Sequence, residues 1–303
     1  MWPFTRMIAT RTRPKTLSAS RRKRRPQLEC LEEKQLLSIV FGADSNGTYA
    51  YDSIAASRRP INSAIPVAMT EGMDGTLFAS YNGQGTWRYD YGINSWTPVT
   101  GAVANVLSAS QSDNSLYLSF SGQGTWEYDG YWVQMASHDA LQLAAVNKSW
   151  VYASFGGDKT GTWSSQGGWY QINPNIPVAM DATPGGTLYA SFSYGDPAVG
   201  GTWSYNPGNY LTGGNNWMRL TTSVADTIAA ISDTDMIGSF DDGTWDYQNG
   251  WNSQGYEITT EVATQLGHSG STVIGSWNPS GTFTYDASTY YWQYVGEQSY
   301  LVA

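Results

Sequence analysis

Apolar and polar residues alternate along this chain in short runs broken by Gly, Asn, Asp and Ser. In "GTWEYD", Gly124 to Asp129, Trp126 and Tyr128 fall on one side and Thr125, Glu127 and Asp129 on the other. That period of two predicts a half-buried strand. A tight Asp129-Gly130 turn leads into "YWVQM", which is a hairpin signal. "ALQLAAV", Ala140 to Val146, is rich in small residues, and "WVYASF", Trp150 to Phe155, alternates again. A Gly-rich loop then reaches the next Gly-Thr-Trp. No copy of the repeat contains a convincing helix.

The phrase recurs. Gly-Thr-aromatic steps begin at Gly47, Gly85, Gly124, Gly161, Gly201, Gly243 and Gly281, at intervals of 38, 39, 37, 40, 42 and 38 residues. The "LYASF" strand recurs with them, as "LFASY" (77–81), "LYLSF" (116–120), "VYASF" (151–155), "LYASF" (188–192), "MIGSF" (236–240) and "VIGSW" (273–277). Four short strands in each repeat of this length predict a propeller blade. The expected fold is therefore all-β: a seven-bladed β-propeller of four-stranded blades over residues 36–303. Small-residue strands such as "NVLSAS" suit the crowded axis. The aromatic after Gly-Thr is Trp87, Trp126, Trp163, Trp203, Trp245 or Phe283 in six copies and Tyr49 in the first. Those six rings read as structural, each buried between neighbouring blades for roughly 2–3 kcal/mol. A second aromatic row is Trp96, Trp132, Trp169, Trp217, Trp251 and Trp292, and the first copy carries "SRRPINS" instead. The chain enters the repeats with "LLSIVF" (36–41), a second-strand type, and ends with "SYLVA" (299–303), an inner-strand type. Pairing of these N- and C-terminal strands would close the ring and remove two sheet edges.

Charge divides the chain. Residues 1–34 hold ten of the 16 Lys+Arg and three of the 25 Asp+Glu, leaving six basic and 22 acidic residues for the rest. An acidic body argues against nucleic acid as partner. The basic lead, residues 1–27, reads as a disordered targeting segment. One cysteine, Cys30, excludes a disulfide framework, and no run is long enough to span a bilayer. "LECLEEKQLLS", residues 28–38, resembles the LExLExRxLLS export motif of planctomycete surface and secreted proteins, with Cys30 where Pro is common and Lys34 in place of Arg. The resemblance implies export, to an extracellular or cell-surface location, and a bacterial source.

Chemistry is sparse. The two histidines are expected apart: His138 in a connection before an inner strand, His268 in a turn after one. Each is expected to be exposed or locally hydrogen-bonded. The Asp box of sialidase-like propellers needs Asp five residues before Trp, and only Asp158 satisfies that, without the accompanying Gly. Asp44, Asp158, Asp196, Asp241 and Asp242 precede Gly-Thr steps and invite a calcium reading, but solvated turn residues are the expectation. No phosphate loop or His/Cys metal spacing occurs, so no cofactor, no metal and no catalytic residue is assigned. Tyr91, Tyr131, Tyr170, Tyr210, Tyr256 and Tyr290 lie near hairpin turns or strand ends, where rings stack on pyranose faces; they are the candidate ligand-binding residues. The repeats broadly resemble tachylectin and tectonin lectin propellers, and their wording is similar to repetitive "GxWxYxxxxGW" proteins of planctomycetes. The sequence thus predicts an exported, monomeric, non-catalytic ring that binds a glycan or, alternatively, an extracellular protein. A glycoside hydrolase is the third reading.

Overall fold

The computed structural model describes residues 39–193, 200–208, 216–248 and 255–303. The chain divides into two units, Met1–Leu36 and Leu37–Ala303. The basic lead and the motif over 28–38 lie outside the described residues, as do Asp196, Tyr210 and Trp251.

The described residues form seven four-stranded antiparallel sheets. Blade 2 shows the plan: Ala68–Glu71 innermost, then Thr76–Tyr81, Gly85–Asp90 and Ser95–Thr100. Blade 1 takes its inner strand, Leu301–Val302, from the other end of the chain and pairs it with Ile39–Asp44. The inner strands touch one another in sequence, with Leu301–Val302 in contact with both Ala263–Ser269 and Ala68–Glu71. The small-residue strands therefore surround the axis, and the closed ring leaves no inner edge open. At the seam, Phe41 and Ala303 exchange two backbone hydrogen bonds of 2.9 Å. The Ser299 hydroxyl bonds both Tyr49 (2.6 Å) and Thr282 (2.8 Å).

Two sequence expectations are corrected. The entry strand is not 36–41: Asp44 pairs with Gly47 as Phe120 pairs with Gly124, so "VFGAD" is the counterpart of "LYASF". Nor is the Gly-Thr-Trp strand buried on its aromatic side alone. Thr125 and Glu127 are buried, while Trp126 and Tyr128 are only half-buried. A blade packs against a neighbour on each face, so period-two alternation does not separate inside from outside. The rings at Trp87, Trp163, Trp203, Trp245 and Phe283 are likewise half-buried. The indole N–H of Trp87, Trp126, Trp163 and Trp245 bonds the loop just before it, as from Trp126 to the Gln123 carbonyl at 3.0 Å.

Gly and Thr account for the recurrence more fully than the ring does. Every one of the seven glycines has positive φ, from 84° at Gly124 to 140° at Gly243. A Cβ at Gly124 would stand 2.3 Å from the Ala136 carbonyl oxygen of the outer strand. Backbone meets backbone there, which only glycine permits. The ladder to the outer strand shifts register directly after each Thr, a β-bulge in all seven blades. Each Thr hydroxyl then donates to a carbonyl in the crossover to the next blade: Thr86 to Ala102 at 3.0 Å, Thr125 to His138 at 2.9 Å, Thr282 to Glu297 at 2.7 Å. In five blades the Ser of this strand, at Ser80, Ser119, Ser191, Ser239 and Ser276, completes the joint by accepting an N–H that follows the crossover, as Ser119 does from Ala140 at 2.8 Å; the buried Ser154 hydroxyl makes no such bond. These contacts satisfy crossover backbone that is shielded from water.

The other inter-blade ties come from aromatics. Tyr117, Tyr152 and Tyr189 of the "LYASF" strands are fully buried and donate to carbonyls of the next blade at Asn147 (2.6 Å), Gly186 (2.7 Å) and Ser232 (3.0 Å). In the second aromatic row, Trp96, Trp169 and Trp217 donate to the preceding blade's outer strand at Ile61, Met135 and Ile172. Blade 1 uses arginine in that place. Arg58 lies over Tyr49 and pairs with Asp44, and Arg59 lies over Tyr91 and donates to the Tyr89 hydroxyl at 2.7 Å.

Candidate functional sites on the ring

Among the described residues, the axial channel and the perimeter between blades 6 and 7 hold cavities. The channel forms a cavity of about 190 Å³ walled by the inner strands. The surface it presents is mostly polar, with Thr70, Ser108, Gln111, Asp181 and His268 among its lining residues beside Leu143, Ile228 and Leu266. His268 is a correction. It sits in the inner strand Ala263–Ser269, not in a turn, and its Nε2 meets Asp181 Oδ2 at 3.2 Å. Burial alone would lower the imidazole pKa, but the Asp181 carboxylate outweighs it and the net shift is upward. Asp181 is otherwise committed, accepting from the Ala182 N–H at 2.9 Å and the Ala230 N–H at 2.8 Å. His138, by contrast, is partly exposed and pairs with Asp158 at 3.1 Å.

The acidic connections do not converge. Asp44 is another correction to the picture of solvated turns: it ends a strand, is buried, and is neutralised by Arg58. Asp158, Asp241 and Asp242 are exposed. Among the described residues, no three His, Cys, Asp or Glu side chains gather as a metal ion requires.

The ring separates most of the candidate tyrosines. Tyr91 is covered by Arg59, Tyr131 stands 81% exposed at a hairpin tip, and Tyr170 begins the outer strand of blade 4. Tyr256 and Tyr290 are brought together. Tyr256 enters from the outer strand of blade 6, Gly255–Thr259, and Tyr290 from the last hairpin of blade 7. Both rings are about two-thirds exposed, at 62% and 63%, and they line a cleft of about 530 Å³ with Trp292, Tyr285, Asp246 and Gln248. Tyr290 has a φ of 59°, a left-handed conformation that costs energy in a residue of this size. Its hydroxyl lies 3.4 Å from the Gln248 carboxamide nitrogen, which donates to Asp246 at 2.8 Å. A second cleft of about 320 Å³, lined by Trp277, Phe283, Glu261 and Ser280, shares Trp292 and Ile258 with the first.

Behind the tyrosines lies a feature the sequence did not disclose. Asp235 and Asp246, on adjacent strands of blade 6, share a hydrogen bond between carboxyl groups. Burial first, and then the neighbouring charge, raise the Asp235 pKa to about 7. The buried Tyr285 hydroxyl beside the cleft has no hydrogen-bond partner. The pairing of neighbouring strands brings the two carboxyls together across a separation of 11 residues.

No protein-family model matches the chain, and no curated protein matches it in sequence. Solved structures do match in fold. The β-propeller domain of Myceliophteria thermophila Cps50 (Swd1) superposes with a TM-score of 0.57 at 8% identity, covering 82% of this chain and 93% of that one. The computationally designed Ika8 protein gives 0.55 at 12%, covering 86% and 85%. A chain of the mitotic checkpoint complex gives 0.54 at 12%, covering 80% and 81%. At such identities the likeness establishes a β-propeller and no more.

Proposed function

We propose that this propeller is an exported, non-catalytic module that binds carbohydrate at the perimeter between blades 6 and 7. The observation that carries the reading is the pair of adjoining clefts on either side of Trp292, with Tyr256 and Tyr290 exposed at the larger one. Aromatic faces stack on the CH-rich faces of pyranose rings. Gln248 and Asp246 line the larger cleft and supply polar groups for sugar hydroxyls. Two joined clefts suit a chain of sugars better than a single ring. The binding reading is preferred to hydrolysis because the channel's Asp181 is held by two backbone N–H groups and an imidazole, which leaves it unsuited to act as a base. Export rests on the resemblance of residues 28–38 to the planctomycete motif.

A protein-interaction role is the second reading, favoured by Tyr291 and Tyr294, which are exposed on the outer strand of blade 7. A glycan array with competition by free sugar separates the two. Carbohydrate binding requires a competed signal that Tyr256→Ala and Tyr290→Asn both abolish; Asn suits the left-handed backbone at that position. Binding unchanged in both variants, or none to any glycan, returns the protein-interaction reading. Fractionation of the native host should place the protein outside the cytoplasm.

A further inference from the structure

Charge is distributed unevenly around the ring. Residues 39–303 contain six basic side chains, Arg58, Arg59, Arg88, Lys148, Lys159 and Arg219, and all six belong to blades 1 to 5. Residues 222–298, which supply blades 6 and 7 and their crossovers, hold ten Asp or Glu and no Lys or Arg. The two joined clefts open between those blades, and no basic residue lines either. The smaller cleft gives this charge a fixed point. Glu261 lies exposed in the crossover from blade 6 to blade 7, and its Oε1 accepts from the Ser280 hydroxyl at 2.6 Å. Both residues line the cleft, so that bond holds the carboxylate at its wall. The backbone is anchored as well: the Glu261 N–H donates to the Thr259 hydroxyl at 3.1 Å, and its carbonyl accepts from Thr244 at 2.8 Å. Among the described residues nothing donates to the other carboxylate oxygen, and no Lys, Arg or His pairs with it. The surface of this cleft is mostly apolar: Trp277, Phe283 and Trp292 meet edge to face at 5.3 to 6.3 Å, with Ile258 beside them.

Building on the carbohydrate reading of these clefts, we propose that their glycan is cationic: an oligosaccharide containing a hexosamine whose amine is not acylated, with that ammonium on Glu261 and a pyranose face against the rings. A protonated amine donates three hydrogen bonds, which the oxygen left open by Ser280 is placed to accept. The attraction is stronger beside an apolar wall than in open water. A hydrated metal ion would match the carboxylate and leave the rings uncovered. A neutral sugar would cover the rings and leave the carboxylate without a counter-charge. An amino sugar does both, and the ten acids of the two blades raise its local concentration.

Three β-linked tetrasaccharides that differ only in the group beside the anomeric carbon serve as probes: tetraglucosamine with ammonium, tetra-N-acetylglucosamine with acetamide, and cellotetraose with hydroxyl. Titration calorimetry at about pH 6, where the amines are protonated, should find tetraglucosamine bound about tenfold more tightly than either of the others. Glu261→Gln should bring it down to the level of cellotetraose and leave cellotetraose unchanged. Asp241→Asn removes the same charge from an exposed residue of blade 6 outside both clefts, and should cost less than about threefold. Equal binding of the three sugars, a preference that Glu261→Gln leaves intact, or equal losses in Glu261→Gln and Asp241→Asn would each overturn the cationic assignment while carbohydrate binding stands. Failure of tetraglucosamine to bind overturns it too. The glycan array then separates the two readings: signal from neutral glycans alone removes the charge, and no glycan signal removes both. If Glu261→Gln fails to fold, the three sugars compared on the native chain still decide.

Discussion

The Gly-Thr joint and the cleft between blades 6 and 7 serve opposite ends. The joint occurs in all seven blades with the same bulge and the same Thr-to-crossover bond, and it spends its polar groups on buried backbone. The cleft adjoins one pair of blades. There, Tyr256 and Tyr290 remain exposed, and the Tyr285 hydroxyl and one carboxyl oxygen each of Asp235 and Asp246 are left without a hydrogen-bond partner, the other Asp246 oxygen accepting from Gln248. Repetition marks what every blade needs to close the ring. Departure from repetition marks what one pair of blades can do for a ligand.

The comparison breaks most severely at the seam. Deleting residues 299–303 removes the inner strand of blade 1, the Phe41–Ala303 bonds and the Ser299 hydroxyl network. We expect a loss of roughly 5 kcal/mol and self-association through the exposed edge. Removal of residues 1–26 should leave thermal unfolding unchanged. Thermal denaturation with light scattering tests both, and equal harmlessness would refute closure through this strand.

The next effect sharpens the joint itself. Gly124→Ala forces a Cβ to within 2.3 Å of the Ala136 oxygen at a φ of 84°, and should cost about 3 kcal/mol or more. Gly122→Ala, two residues earlier at a φ of 70° with nothing within 4 Å, should cost only about 1 kcal/mol. Urea unfolding of the two variants measures the difference. A similar cost for both would mean that φ alone, and not the close approach, selects glycine.

Trp126→Ala should follow at about 2 kcal/mol, below the usual range for a fully buried ring, because Trp126 is half-buried and packs edge-on against Trp132. Tyr131→Ala at the exposed hairpin tip should be nearly neutral in the same assay.

The smallest effect belongs to the cleft. Asp235 titrates at about 7 in the folded protein, above its ordinary value of 3.8. Between about pH 4 and 7 the folded state holds a proton that the unfolded chain has released, so this group makes stability fall as pH rises through that window. Asp235→Asn should flatten the dependence by about 1 kcal/mol, a figure discounted because Asp235 is partly exposed. Chemical denaturation at pH 4.5 and 7.5 reads it directly.

Much of the architecture was legible because it repeats. Seven Gly-Thr steps, a recurring "LYASF" strand and a partial blade at each end predicted the ring, its blade count and the strand pair that closes it. What was misread is local. Period-two alternation assigned Trp126 to the interior and Thr125 to the outside, a rule suited to a sheet with one wet face. Blades have two dry faces, so the buried Thr and half-buried Trp follow from packing on both sides. The Tyr of "LYASF" carried a signal that could have been read: an aromatic hydroxyl on a fully buried strand needs a partner, and Tyr117, Tyr152 and Tyr189 find it in the next blade.

By itself the sequence determined the local chemistry of each blade, because glycine geometry, strand alternation and turn residues act over a few positions and were written seven times. Only the tertiary structure decided which singular residues meet. Tyr256 and Tyr290 are 34 positions apart in the chain and share a cleft, while Asp181 and His268 are 87 apart and share a hydrogen bond across the axis. Those distances are set by where the inner strands stand around the ring and by the angle between adjoining blades. No residue encodes that angle alone; it results from all seven joints closing together.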